Sequence, residues 1–280
     1  MIYLVVKEGR IKNKKIMEIV HLSSTVSIKR IEETFNKGVF EIEGLYVGYG
    51  LTLGNALRRV LLSSLPGAAV TYIKIKHAPH EFMSLPGIKE SVLDICLNFK
   101  KLRFRMHTNE PQTLYLKAKK EGVVYASDIE ENSLVEIINK DQELATITDK
   151  NTTFEVELTV ERGLGYVPVE ARKKEKLPIG AIALDAFFSP VVNVSYEVEN
   201  MRVGSYTDYN RLRIYIETDG TISPSSALHK AGSILKDHFE KVMEIDVKQF
   251  DVDSKKEIKL EKPKEEKKEE KENKKKKTKK

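Results

Sequence analysis

The sequence predicts a mainly β body that also contains three helices. Two observations carry this prediction. Runs rich in β-branched and aromatic residues alternate with polar residues and are separated by turn signals such as Glu121-Gly122 and Asp219-Gly220. Three other segments repeat apolar residues at intervals of three and four, which is the spacing of one helix face.

Seven runs are predicted as strands: 25–31, 70–76, 102–106, 113–118, 154–160, 191–198 and 212–218. The clearest of them alternates Phe154, Val156 and Leu158 with polar residues. This alternation is typical of a sheet that has one face in water.

The first helix is predicted to begin at Thr52, a residue type that caps helices, and to end before Pro66-Gly67. Its main apolar stripe contains Leu53, Ala56, Leu57, Val60, Leu61, Ser64 and Leu65. A smaller patch on the opposite side contains Leu51, Asn55, Arg59 and Leu62. Such a helix is either fully internal or packed between its own sheet and another chain. Arg59 favours the second arrangement, because burying an unpaired arginine is costly.

The other two helices are predicted over 88–99 and from Ser223 onwards. Cys96 lies close to the apolar stripe of the second helix, so we expect it to be a small core residue. The third helix starts with the cap Ser223 and Pro224, and its stripe contains Leu228, Ala231, Leu235, Phe239 and Val242. This helix could close its own domain or pair with a second copy, and the spacing leaves both readings open.

Charge is concentrated at the C-terminal end of the 280 residues. Residues 251–280 carry 14 lysines against nine acidic residues and account for +5 of the net charge of +6. With few apolar residues, the segment 248–280 is expected to be a disordered Lys/Glu-rich tail.

The body is nearly neutral, and its single cysteine excludes disulfides within the chain. No secretion signal or membrane span is expected, so we predict a soluble protein of the cytosol or of an equivalent interior compartment.

The familiar catalytic motifs are absent from the sequence. Gly48, Gly50 and Gly54 have the wrong spacing for a dinucleotide fingerprint, and His80-Glu81 lacks the second histidine of a zinc protease. No Walker A or G-x-S-x-G motif occurs. We therefore expect no catalytic residue, cofactor or metal on this chain. Polar or glycine-rich islands occur at 58–59, 80–82, 162–168 and 185–191. Each alone could be an ordinary turn or a solvated face, but together they suggest the docking surfaces of an assembly scaffold.

Residues 48–70, GYGLTLGNALRRVLLSSLPGAAV, resemble the signature of the RNA polymerase alpha subunit of bacteria and plastids. Four further stretches agree in order: His80-Glu81-Phe82, residues 162–168, Leu184-Asp185-Ala186 with Ser189-Pro190-Val191, and Asp219-Gly220-Thr221-Ile222. The resemblance covers about residues 15–247 and matches the N-terminal assembly domain of that family. It stops before the small helical domain with which family members usually bind promoter DNA and activators.

The resemblance implies an α+β fold in two parts. Residues 1–66 and 181–247 would form a dimerisation subdomain, with a sheet and two long helices, and residues 67–180 a mainly β insert subdomain. The two helices would form the interface of a homodimer, through Leu53, Leu57, Leu61, Leu228, Ala231, Leu235, Phe239 and Val242.

The resemblance also implies a role without catalysis, as the homodimeric scaffold that nucleates assembly of the β and β′ subunits. The expected β-subunit contact consists of Arg59, Leu62, His80 and Glu81. The second contact surface, expected to face β′, consists of Arg162, Gly165, Tyr166, Pro168 and Asp185. Sigma, omega-type subunits and DNA would be reached only through the assembled complex, in the bacterial cytoplasm or the plastid interior and without a membrane.

Two other classes of protein are alternatives to this one. An RNA- or ribosome-binding protein could use the basic tail as an arm, but the nearly neutral body argues against it. An enzyme of another type has no constellation of residues to support it.

Overall fold

The computed structural model describes residues 26–172 and 180–246. In chain order these contain β1 (Ser27–Glu33), β2 (Lys37–Leu45), α1 (Tyr49–Ser63), β3 (Pro66–Ile75), α2 (Val92–Lys100), β4 (Phe104–Met106), β5 (Gln112–Ala118), β6 (Gly122–Tyr125), β7 (Val135–Ile137), β8 (Glu143–Ile147), β9 (Phe154–Leu164), β10 (Tyr166–Val167), β11 (Ile182–Ala183), β12 (Ala186–Phe187), β13 (Val191–Val203), β14 (Tyr206–Thr218) and α3 (Pro224–Met243). The predicted tail at 248–280 lies outside the described residues.

Sheet A is the antiparallel sheet β1-β2-β14-β13. Side chains of α1 and α3 pack on one of its faces and form a core with it; the core includes Phe40, Ile42, Leu57, Leu61, Leu212, Ile214, Ala227 and Ala231. On the other face, Glu41 pairs with Arg211 and Arg213 from the neighbouring strand. One apolar and one charged face explain the alternating burial of β14 from Asn210 to Thr218.

Sheet B has the order β5-β9-β3-β4-β7, with β11 paired to the far part of β3. Helix α2 packs on this sheet through Val92, Ile95, Cys96 and Phe99, all of which are buried. Its core draws on residues between Val70 and Ile182, whereas the core of sheet A draws on residues 40–65 and 191–231. The described chain therefore has two large hydrophobic cores.

The predicted α+β class is confirmed, and each of the seven predicted strands is present. Two helix starts were wrong. Helix α1 begins at Tyr49 and not at Thr52, because Gly48 takes a φ of 84° and forms the N-cap. Helix α2 begins at Val92 and not at Ile88, because Ser91 and Asp94 form a capping box there. Ser223 is confirmed as a cap, since its hydroxyl accepts a hydrogen bond from the Ser226 N–H at 3.3 Å.

Several strands were missed, and the longest of them is β2. Its alternation was available in the sequence, because the buried Phe40 and Ile42 flank the glutamate at position 41. The strands β6, β7 and β8 are three to five residues long, which is too short for a period to be counted.

Candidate functional site

Helix α1 has two apolar faces, as its spacing predicted. Leu57 and Leu61 are buried against sheet A, while Leu51 and Leu62 on the opposite side are 62% and 36% exposed. Arg59 lies on that outer side and is exposed. Within residues 26–172 and 180–246, its guanidinium forms no hydrogen bond or ion pair. The outer face of α1 therefore carries an apolar patch and a positive charge that the described chain leaves uncovered.

Glycines determine how closely α1 approaches sheet A. A Cβ on Gly54 would lie 2.7 Å from the Tyr196 ring and 2.9 Å from Leu212, so a larger residue would push the helix away. Gly50 is equally close to Val198. At the start of the helix, the Gly48 N–H donates to Oδ1 of Asn210 at 2.8 Å. These contacts fix the orientation in which the outer face points away from the sheet.

The segment His80-Glu81-Phe82 lies between β3 and α2. His80 is exposed, Glu81 is partly buried and the Phe82 ring is 77% exposed. The following residue, Met83, accepts a hydrogen bond from the Val92 N–H and so fixes the segment to the start of α2. Among the described residues, no hydrogen bond or ion pair joins His80 or Glu81 to α1.

The second predicted surface is built where β9 runs into β10. Arg162 donates to Asn109 at 2.7 Å, and Tyr166 pairs with Phe187 of β12. Gly165 has a φ of 61°, which makes the tight turn between the two strands. Gly163 is needed for a different reason: a Cβ there would lie 2.6 Å from the buried Phe188 ring.

Asp185 joins this surface through three partners. Its carboxylate accepts hydrogen bonds from the Val169 N–H at 3.0 Å and from Nζ of Lys100 at 3.3 Å. The Val169 backbone bond is the main reason that the pKa of Asp185 is lowered, with smaller contributions from Lys100 and Tyr166. Burial and the nearby Asp185 charge raise the pKa of the Tyr166 hydroxyl. The structure thus brings Tyr166 and Asp185 together although they are far apart in sequence.

Sequence reasoning missed other members of this surface. Leu164 and Phe187 are 57% and 44% exposed and flank Tyr166 along β9, β10 and β12. Lys100 lies at the end of α2 and was not predicted as a neighbour of Asp185. An exposed apolar residue within a strand is a weak signal by itself, and the Lys100 contact depends on the tertiary structure.

The residues predicted for a dimer interface fall into three groups by burial. Leu57, Leu61 and Ala231 are buried in the chain's own core, and Leu61 and Ala231 have no accessible surface left for a second chain. Leu53, Leu228 and Leu235 are partly buried. Phe239 and Val242 are 62% and 66% exposed.

A groove of about 770 Å³ lies beside the partly buried group. Apolar side chains from β1, β2, α1 and α3 line it, among them Ile28, Phe40, Leu57 and Leu228. Gly232 also lines it, and a Cβ at Gly232 would meet no atom within 4 Å. Arg30, His229 and Lys236 also line the groove, so it combines an apolar floor with polar and charged side chains.

The single cysteine is a core residue, as predicted. Burial, with a smaller contribution from the charge of Glu81, raises the pKa of the Cys96 thiol to about 11.

Across the described ranges, no group of three or more His, Cys, Asp or Glu side chains is arranged to hold a metal ion. In the same ranges, no helix combines the length and the hydropathy that crossing a membrane requires.

Comparison with known proteins places the chain in a class. The sequence model of the family described as the RNA polymerase Rpb3/RpoA insert domain matches residues 73–189. These residues include most of sheet B and the second contact surface. The class defined by this match is that of RNA polymerase subunits that contain such an insert.

Three bacterial relatives specify the family. Each has the name DNA-directed RNA polymerase subunit alpha. The protein of Alkaliphilus oremlandii is 47% identical over 222 residues, which are 79% of this chain and 70% of the relative. Those of Symbiobacterium thermophilum and Moorella thermoacetica are each 49% identical, over 75% and 72% of this chain and 66% and 64% of their own lengths. The chain belongs to the family of DNA-directed RNA polymerase alpha subunits, which are parts of a nucleotidyltransferase complex.

Proposed function

We propose that this chain is the homodimeric scaffold on which the β and β′ subunits of a bacterial RNA polymerase assemble in the cytoplasm. The observation that carries the proposal is the outer face of α1, with exposed Leu51, Arg59 and Leu62. Apolar side chains around an arginine are typical of the centre of a protein–protein interface. The family membership names the kind of complex in which such an interface would be used.

The dimer would form through α3 and the groove beside it. Phe239 and Val242 expose most of their apolar surface, while Leu53, Leu228 and Leu235 are partly exposed. Burying a side chain of this size contributes roughly 1.5–3 kcal/mol, and a twofold axis doubles each contribution. Leu57, Leu61 and Ala231 would support this interface from beneath by holding α1 and α3 on sheet A.

The β subunit would dock on the outer face of α1 and on His80, Glu81 and Phe82. An uncovered arginine beside Leu62 would suit a partner that offers a carboxylate next to an apolar pocket. This arrangement assigns Arg59 the role of the charged anchor and Leu62 and Phe82 the role of apolar anchors.

The second contact surface would dock the β′ subunit. Its centre is apolar, with Leu164, Tyr166 and Phe187, and Arg162 and Asp185 provide charges of both signs at the edge. We assign sheet B and its α2 to the insert subdomain predicted at 67–180 and extend its C-terminal limit past residue 180, because β11 pairs with β3 and Ile182 lies in the core of sheet B. We assign sheet A with α1 and α3 to the dimerisation subdomain. The two separate cores support this division. Sigma, omega-type subunits and DNA would be met only through the assembled complex.

The test is reconstitution from purified subunits. The full chain would be mixed with the β and β′ subunits of its own bacterium, and the stoichiometry measured by native mass spectrometry. We expect two copies of the chain with one β and one β′. A chain that remains alone, or that is recovered from its host only with ribosomal proteins or RNA, would contradict the proposal in favour of the RNA-binding hypothesis.

A further inference from the structure

The motif Asp219-Gly220-Thr221 contacts sheet B although it lies at the end of sheet A. It follows β14 and precedes α3. The side chain of Arg105, in β4 of sheet B, donates from Nε to the Thr221 carbonyl at 3.0 Å and from Nη2 to the Gly220 carbonyl at 3.2 Å. Its Nη1 donates to Glu136 of the neighbouring strand β7 at 3.0 Å. One guanidinium therefore connects a strand of sheet B to the turn that leads into α3.

The turn itself is held rigidly from the side of sheet A. Oδ1 of Asp219 accepts from the Thr221 N–H at 2.9 Å and from its hydroxyl at 2.6 Å. The Asp219 N–H donates to the Pro190 carbonyl at 3.0 Å, and the Thr218 N–H donates to the Asn36 carbonyl at 2.7 Å. The turn that carries these carbonyls is thus held by hydrogen bonds that do not involve Arg105.

Packing at Gly220 supports the same connection. Gly220 has a φ of 89°, and a Cβ there would lie 2.7 Å from the ring of Phe35 and 3.3 Å from Ile138. Phe35 belongs to the turn between β1 and β2, and Ile138 follows β7. Phe35 from the side of sheet A and Ile138 from the side of sheet B therefore meet at this glycine. Arg103 adds a longer ion pair, with Nε 3.8 Å from Oδ2 of Asp219.

We infer that Arg105 is a positioning residue that fixes the orientation of sheet B relative to sheet A and the start of α3, through the Gly220 and Thr221 carbonyls. Among the described elements, the chain passes from one sheet to the other at two places. It does so where α1 leads into β3 and where β12 leads into β13. The two crossings lie close to each other, since the Ser189 hydroxyl donates to the Leu62 carbonyl at 3.2 Å. Two neighbouring crossings would allow a hinge motion. A planar guanidinium that binds the Gly220 and Thr221 carbonyls from sheet B opposes that motion, because its donors have a rigid geometry.

This inference does not rest on the proposed function, because the orientation can be measured on the chain alone. Spin labels would be attached at Lys119→Cys in the turn after β5 and at Ser195→Cys in β13, both exposed positions, in a Cys96→Ala background. Double electron–electron resonance would give the distribution of distances between them. Dilution with excess unlabelled protein removes distances between two copies of the chain.

We expect a single narrow distance distribution for the otherwise unchanged chain. Arg105→Ala should lose the narrow peak and shift the mean distance, while circular dichroism remains that of a folded protein. Arg105→Lys should fail to restore the peak, because an ammonium keeps the charge but not the fork of donors. The matched control Lys117→Ala removes a cation whose ion pair stays within sheet B, and it should leave the distribution unchanged.

The inference is overturned if both Arg105 variants keep the narrow distribution, or if Lys117→Ala broadens it as much as they do. Should Arg105→Ala not fold, the Arg105→Lys distribution decides the question alone. Failure of the chain to bind β or β′ would leave these distances unaffected, so the two proposals fail separately.

Discussion

Glu155 and Lys117 are opposite residues on β9 and β5, and Nζ of Lys117 lies 2.7 Å from one carboxylate oxygen of Glu155. The other oxygen accepts from Nζ of Lys76 at 2.8 Å, so one carboxylate on the outer face of sheet B joins side chains from three segments. The hydrogen bond from Lys117, followed by that from Lys76, lowers the pKa of Glu155 to about 2 from an ordinary value of 4.5.

This pKa shift predicts how stability depends on pH. A carboxylate whose pKa is lowered by folding stabilises the protein above its unfolded pKa, and this contribution is lost as the pH falls through the folded value. Glu155→Gln should therefore lower Tm at neutral pH. The difference in Tm from the unchanged chain should shrink below pH 4.5 and approach zero near pH 2. Glu121→Gln, at an exposed position without an ion pair in the described chain, is the control. A difference in Tm that stays constant with pH would contradict the prediction.

Adjacent leucines on α1 should respond differently to the same truncation. Leu61 is fully buried and Leu62 is 36% exposed. Leu61→Ala leaves a cavity beneath α1 and should lower the free energy of unfolding by about 2–5 kcal/mol. Leu62→Ala should change it by no more than about 0.5 kcal/mol but should weaken binding of the β subunit. Urea unfolding at one fixed protein concentration checks the first expectation, because a dimer's stability depends on concentration. Equal losses of stability would disprove the two-faced description of α1.

Arg59 should be required for binding of the β subunit but not for folding. If it becomes a desolvated interface charge, Arg59→Ala should weaken that association by about 2–5 kcal/mol. Isothermal titration calorimetry with purified β measures the loss, and sedimentation analysis checks that the dimer persists. Lys119→Ala removes a positive charge from an exposed turn of sheet B and should bind β as tightly as the unchanged chain. Normal binding by a folded Arg59→Ala dimer would remove Arg59 from the proposed contact.

Phe239 should contribute to dimerisation. Phe239→Ser removes an exposed aromatic ring from both copies, and burial of a Phe side chain is worth roughly 1.5–3 kcal/mol, so the dimer should lose about twice that. Analytical ultracentrifugation over a range of concentrations should show the monomer. Leu93→Ser, at an exposed apolar position on α2, should leave the dimer intact. Dissociation by both variants, or by neither, would place the interface elsewhere.

The pattern of apolar and polar residues predicted helices and strands well where one face of the element is buried and the other is exposed to solvent. The alternation along β9 and the three-and-four spacing along α1 and α3 follow directly from the geometry of strands and helices. Helix starts were less predictable. Thr52 is a good capping residue, yet α1 begins three residues earlier, because Asn210 of β14 binds the Gly48 N–H. A partner from 162 residues further along the chain leaves no mark in the local sequence.

The sequence by itself determined the family, the two-sided character of α1, the core position of Cys96 and the absence of familiar catalytic motifs, because these depend on residue type and short spacing. Tertiary structure decided which apolar residues remain available to a partner. Leu61 and Phe239 lie on equally apolar stripes, but sheet A covers the first and leaves the second exposed. Only the folded chain brings Asp185 to Lys100 and Arg105 to Gly220, since these contacts join segments whose separation is set by the packing of both sheets.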